Sequence, residues 1–207
     1  MEQRREALVL GIGNLLWADE GFGVRAVEAL HASWAFPDAV ELQDGGTLGL
    51  NLYQAITSAR RVLVFDAIDF GLPPGTLAVL RDDEVPAWGR TKLSPHQIGF
   101  NDVLAIAQLN GCAPDRIVAV GVQPAELSDF GGSLSEPVRK CLPDAIAVAA
   151  RELALWGYPG KQRRTEYRFE PLHARSLALH AYERGRPSAA EACRRGDARL
   201  LTRTQER

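Results

Sequence analysis

Along the chain, short runs of unbroken apolar residues alternate with stretches in which apolar positions recur every three or four residues. Ala7-Leu8-Val9-Leu10-Gly11-Ile12 has no polar side chain, the pattern of a strand covered on both faces. Val24, Val27 and Leu30 then follow helical spacing and predict an amphipathic helix over about 24–32. A second strand, Val40 to Gln43, ends at Asp44-Gly45-Gly46-Thr47, and a second helix follows over about 49–58. Arg61 to Asp66 is the clearest strand. Thr76 to Arg81 is the fourth, and the link before it has no room for a crossover helix, which makes it antiparallel to the third. Residues 82–95 hold two prolines and little periodicity and read mostly as loop. Ser94, Pro95 and Gln97 together signal a helix start, and that helix runs to about Asn110, where Gly111 stops it. Arg116 to Val122 is the fifth strand. The long connection after it passes through Pro137 and Pro143 into an alanine-rich helix that Gly157-Tyr158-Pro159-Gly160 terminates.

This alternation predicts an α/β fold: three layers, with a twisted, mostly parallel five-stranded sheet and helices on both faces. The pattern weakens after Gly160. Residues 161–207 are Arg-rich with scattered apolar positions; Ala174–Tyr182 offers one more helix, and the rest lacks the apolar content for a second core. The expected organisation is one domain over 1–160 and a basic, loosely ordered C-terminal extension over 161–207.

Composition narrows the class. With 46% hydrophobic and 24% charged residues over 207 positions, the chain can bury its own core, and collagen, coiled coil and wholesale disorder are excluded. A net charge of −2 gives no overall pull toward nucleic acid or membrane. It hides an asymmetry: residues 161–207 hold twelve Lys and Arg against six acids, leaving twelve against twenty in the first 160. Cys112, Cys141 and Cys193 have no metal-site or disulfide spacing and read as reduced thiols. Arg4 and Arg5 precede an apolar stretch, but Asn14 interrupts it and Asp19-Glu20 stands where a cleavage site should be. A cytoplasmic monomer with no nucleic-acid or membrane partner is expected.

In an open α/β sheet, ligands bind beyond the carboxyl ends of the parallel strands. The polar residues there are Asp19 and Glu20 after the first strand, Asp44 after the second, and Asp66 and Asp69 after the third; His96 lies beyond the fourth, on a loop long enough to return to that rim. Two carboxylates and an imidazole suit a divalent transition metal and leave coordination positions open. Simpler readings compete. Asp19 and Glu20 fit a charge pair at a helix N-terminus, Asp44-Gly45-Gly46 fits a turn, and His96 fits a helix-entry residue. Gly11-Ile12-Gly13 begins like a dinucleotide-binding fingerprint with Asp44 as ribose acid, yet Leu16 occupies the third glycine's place and two acids follow. Asp66 beside Val-Leu-Val-Phe is harder to dismiss, because a partly desolvated carboxylate needs a partner. His31, His173 and His180 carry no such context, and no serine sits in a nucleophile elbow.

Four blocks then resemble a known family in order and spacing: Gly11-Ile12-Gly13-Asn14 through Asp19-Glu20-Gly21-Phe22-Gly23-Val24, Asp44-Gly45-Gly46-Thr47, Val64-Phe65-Asp66-Ala67, and Ser94-Pro95-His96-Gln97. The chain is similar, over about 7–157, to the hydrogenase maturation endopeptidases, and most to those serving uptake hydrogenases. The resemblance implies an enzyme that removes a C-terminal extension from the large-subunit precursor of a nickel–iron hydrogenase after nickel insertion. It implies Glu20, Asp66 and His96 as metal contacts, the nickel being supplied by the precursor, and Asp44 as a residue near the site. Asp44 or Asp66 is the candidate proton acceptor of an aspartic or metallo-type mechanism. A non-catalytic chaperone of the precursor's metal site is the alternative. For the basic extension, docking on an acidic precursor surface competes with a plain solvated tail.

Overall fold

The computed structural model describes residues 5–85, 98–163 and 171–186. Its strands are β1 (Arg5–Ile12), β2 (Trp34–Ala35), β3 (Val40–Gly46), β4 (Ala59–Ala67), β5 (Leu77–Arg81), β6 (Arg116–Val122) and β7 (Lys161–Gln162). Its helices are α1 (Phe22–Ser33), α2 (Tyr53–Thr57), α3 (Ile98–Leu109), α4 (Glu136–Leu155) and α5 (Leu179–Gly185). The main sheet has the order β3-β1-β4-β6-β5. β3, β1, β4 and β6 are parallel, and β5 closes the edge antiparallel to β6. The expected three-layer α/β sheet is present, with the fourth predicted strand running against the third as argued from its short link.

Strand alternation divides the core in two. Ala7, Val9, Leu63 and Phe65 face α1 and α4, where Phe22, Leu30, Val138 and Leu153 meet them. Leu8, Leu10, Val62 and Val64 face α2 and α3, against Ile56, Phe100, Val103 and Leu104. β1 lies between β3 and β4 with both faces covered, which is why it reads as a continuous apolar run.

Helix α1 rests on the sheet through two glycines. A Cβ on Gly11 would stand 2.3 Å from the Gly23 carbonyl oxygen, and one on Gly23 would stand 2.1 Å from that of Ile12. The glycine pattern that resembles a dinucleotide fingerprint is therefore a packing device here.

Helix α4 begins earlier than its prolines suggest. Pro137 occupies its first turn, where a missing N–H costs nothing, but Pro143 lies inside the helix. An interior proline costs about 3 kcal/mol. Burial of Val138, Leu142, Ala145, Ala149 and Leu153 outweighs it, at roughly 1.5–3 kcal/mol for each large side chain.

Of the extension, residues 161–163 and 171–186 are described, and they make defined contacts with the rest of the chain. β7 pairs antiparallel with β2, and Arg163 Nε donates to the carbonyls of His31 and Trp34 at 3.0 and 2.9 Å. Leu172 packs against the core cluster to which α1 and α4 contribute. These contacts use isolated residues rather than a periodic apolar face, so no sequence pattern announces them. Among the described residues, no helix is long and apolar enough to cross a membrane.

Candidate functional site

The four parallel strands end at one rim, and the loops beyond them carry most of the candidate residues. Glu20 sits in a 3-10 turn, Ala18–Gly21, that leads into α1 and lies against β4. Its N–H donates to the Trp17 carbonyl at 2.9 Å, and its own carbonyl accepts the Asn14 N–H at 3.1 Å. Gly13 makes this turn possible. It adopts φ +140°, and a Cβ there would stand 1.8 Å from the Glu20 carbonyl oxygen.

Asp19, one residue earlier, does something different. It is fully buried, and its carboxylate accepts the N–H groups of Ala125, Glu126 and Ser135 at 2.7–2.9 Å and the Ser135 hydroxyl at 2.8 Å. It anchors the long loop between β6 and α4 to the turn that carries Glu20.

Asp66 is the penultimate residue of β4 and is 2% exposed. It lies one position past Phe65, on the face of Val62 and Val64, where α3 packs. Helix α3 begins two residues after His96. His96, with Ser94, Pro95 and Gln97, lies outside the described residues.

Asp44 pairs in register with Gly11, which in turn pairs with Phe65, so its side chain leaves the sheet on the α1 face. Gly45 confirms the register, because a Cβ there would point at Leu52 and Leu10 on the other side. Asp44 Oδ1 accepts the Gly46 N–H at 2.9 Å. Burial pushes its carboxyl above the usual range. His173 opposes that shift first, then the Gly46 amide; Glu28 adds to it, and Arg25 opposes it more weakly.

The structure thus brings the turn of Glu20 against the strand of Asp66, while Asp44 and Asp66 leave opposite faces of the sheet. Among the described residues, no three His, Cys, Asp or Glu side chains converge as a metal-holding group; a trio that needs His96 falls outside that set.

Beside Asp66 the rim is held by Gln123. Its side-chain carbonyl accepts the N–H groups of Phe70 and Leu72 at 2.8 and 3.1 Å, and its amide donates to Asp69 at 3.0 Å. That amide, with the Gly71 N–H, holds Asp69 below the ordinary carboxylate range. A cleft of about 370 Å³ opens here, lined by Asp69, Gln123, Pro124, Glu126, Leu127 and Ser128. Next to it, Leu16 and Phe130 are 46% and 50% exposed, and the Trp17 and Phe130 rings meet edge to face at 5.2 Å. An open cleft flanked by exposed apolar side chains suits a polypeptide better than a small polar metabolite.

Sequence reasoning missed three residues: Asp19 as an anchor, Gln123 as a clamp, and His173 beside Asp44. Their partners are distant in sequence, so no local motif marks them.

Residues 24–152 match the family described as hydrogenase maturation protease, HycI. The hydrogenase expression/formation protein HupD of Rhodobacter capsulatus is 54% identical over 195 residues, which is 94% of this chain and 92% of that protein. HupM of Azotobacter chroococcum mcd 1, described in the same words, is 53% identical over the same shares. The solved structure of the hydrogenase maturating endopeptidase HybD from E. coli superposes with a TM-score of 0.73 at 38% identity. That match covers 98% of HybD and 76% of this chain, so roughly a quarter of the present chain has no counterpart there.

Proposed function

The chain belongs to the hydrogenase maturation protease family, endopeptidases and hence hydrolases, and from that premise we propose that it removes the C-terminal extension of a nickel–iron hydrogenase large-subunit precursor once nickel is in place. The precursor brings the nickel as part of the substrate. We assign Glu20, Asp66 and His96 to meet it. The donor set suits that role. Carboxylates and an imidazole bind a divalent transition ion, and the 2%-exposed carboxylate of Asp66 gains from a nearby cation. Three ligands leave positions for the precursor's own thiolates, so an unloaded precursor lacks the ion that would bridge the two proteins. When bound, nickel supplies Lewis-acid polarisation of a carbonyl or acidification of a water.

The chain's own residues do the rest. One carboxylate, Asp44 or Asp66, takes a proton from the attacking water. They leave the sheet on opposite faces and act singly, not as a dyad sharing one proton. Asp44 has the burial-raised carboxyl, closer to neutrality, as a general base requires. Gly45 and Gly46 leave the substrate backbone room to approach.

The observation that carries this reading is the packing of the Glu20 turn against the strand whose penultimate residue is Asp66. Purified protein incubated with nickel-loaded and nickel-free precursor tests it. Mass spectrometry should register loss of a C-terminal peptide from the loaded form alone, and equal cleavage of both forms would sink the gating. His96→Ala should abolish cleavage while the precursor still binds; retained cleavage would remove His96 from the mechanism. No cleavage by the wild type, with a stable complex formed, is the outcome expected of a metal-site chaperone. We further propose that the protein works as a cytoplasmic monomer, which light scattering near 22.6 kDa would support.

A further inference from the structure

Asp69 has no part in the chemistry assigned above, yet with Glu126 it lines the cleft of about 370 Å³ beside Gln123. The lining residues include these two acids and no Lys, Arg or His. Asp69 Oδ1 accepts the Gly71 N–H and the Gln123 amide, both at 3.0 Å. Glu126 Oε1 accepts the N–H and the hydroxyl of Ser128, both at 2.6 Å. These bonds engage one oxygen of each carboxylate, so the other can meet a cation without breaking them. They also hold both carboxyls below their ordinary ranges, Asp69 through the Gln123 amide first and Glu126 through the Ser128 hydroxyl first, which keeps both charged at neutral pH. The cleft is fixed beside the turn that carries Glu20, because the Glu126 N–H donates to the Asp19 carboxylate at 2.9 Å and its carbonyl accepts the Asp19 N–H at 3.0 Å.

The surroundings of the cleft are apolar. Ten large apolar side chains are exposed among the described residues, and six of them, Leu16, Leu48, Leu50, Leu72, Leu127 and Phe130, stand on the segments that follow the four parallel strands. Apolar surface gathered on one rim marks a protein-binding face. Leu127 lines the cleft, and Leu72 is tied to it through the bond from its N–H to Gln123. A bare metal ion needs neither this volume nor an apolar border. A lysine or arginine on a protein surface uses both, with its stem against the leucines and its head on the carboxylates.

We propose that this cleft receives one lysine or arginine side chain of the precursor, with Asp69 and Glu126 as the carboxylates that select it. The proposal rests on the function assigned above and deepens it. None of the lining residues meets nickel or moves a proton in that function, so the cleft holds a part of the precursor away from the scissile bond. Asp69 and Glu126 are specificity residues and touch no reacting atom.

The test compares the wild type with full-length Asp69→Asn, Glu126→Gln and the double variant on nickel-loaded precursor. Each amide keeps an accepting oxygen for the donors named above, so the local bonds survive the loss of charge. KM and the Kd for the precursor should rise about threefold in each single variant and about tenfold in the double one. With kcat close to wild type, that is the pattern of lost uniform binding. Added salt should weaken binding by the wild type more than by the double variant. One Lys or Arg of the precursor, replaced by Gln, should reproduce the loss and add nothing further in the double variant. Glu126→Lys should weaken binding more, and Glu at that same precursor position should restore it. Glu126 is exposed and its backbone carries the bonds to Asp19, so its two variants carry the test if Asp69→Asn unfolds. An unchanged Kd in the folded double variant overturns the proposal. So does a loss that no Lys or Arg replacement in the precursor reproduces, the result expected if the cleft meets a second copy of this chain instead. A wild type that binds the precursor without cleaving it removes the assigned function, while Kd in the variants still decides the subsite; no binding at all overturns both.

Discussion

A carboxylate can lie fully buried without a cation when enough N–H and O–H groups point at it, and Asp19 meets that condition with four donors. Removing the acceptor leaves three part-buried backbone amides without that partner, each costing up to about 1–3 kcal/mol. Asp19→Ala should therefore lose about 3 kcal/mol or more in urea unfolding, with Asp19→Asn losing less because its amide keeps one accepting oxygen. Equal stability of the alanine variant and the wild type would mean the loop is held by something else. The sequence presents Asp19 and Glu20 as neighbours of one charge and gives no reason to separate them. Only the fold does so, by turning one toward residues 125–135 and leaving the other half-buried at the rim. Asp66 was legible because it ends a β-branched and aromatic run. Its placement relative to Asp44 was less so, since which face a strand residue takes depends on register, and register is a property of pairs of strands.

At the scale of elements, the strands could be read because both faces of the parallel sheet are covered, and the helices because one face is not. Contacts between elements leave fainter marks. Gly23 is indistinguishable in the sequence from a turn residue, yet a methyl group there would stand 2.1 and 2.2 Å from the carbonyl oxygens of Ile12 and Phe65. Both atoms are backbone and cannot swing aside. Gly23→Ala should lift α1 and its Glu20 turn from the sheet, lowering stability by about 3 kcal/mol and cleavage with it. Wild-type stability in that variant would contradict the packing described. Residues 171–186 make a pH-dependent contact with α4 and the loop before it. The bond from Arg139 holds Glu183 below the ordinary glutamate range, assisted by the Ser133 hydroxyl and opposed by burial. A depressed acid stabilises the docked form fully above its unfolded pKa and loses that contribution as pH falls through the folded value. Protection factors at residues 129–135, taken relative to the intrinsic exchange rate at each pH, should fall toward acid pH, and Glu183→Gln should remove that dependence. An unchanged pH profile in the variant would show that Glu183 is not the sensor.

For the molecule as a whole, the acidic body and basic extension suggest attraction between opposite charges, but the contacts that form do not follow that division. Arg186 of the extension does face Asp129 of the body, whereas Glu183 of the extension takes Arg139 of the body, and Leu172 and Tyr182 settle on apolar or aromatic-binding positions. Net charge by segment is a sum over residues, and the contacts of the described residues are decided by a few of them, which composition does not single out. Exposed ion pairs contribute little and are screened by salt, so burial of Leu172 and Tyr182 should dominate, at about 2 kcal/mol. A chain ending at residue 163 keeps every strand of the main sheet and should fold, with a melting temperature lower by roughly 4–8 °C, since each kcal/mol is worth about 2–4 °C at this size. Calorimetry at low and high salt discriminates between the two forces. A deficit that persists in high salt follows from apolar docking; one that vanishes there would make the attachment electrostatic, and no deficit at all would leave residues 171–186 undocked in solution.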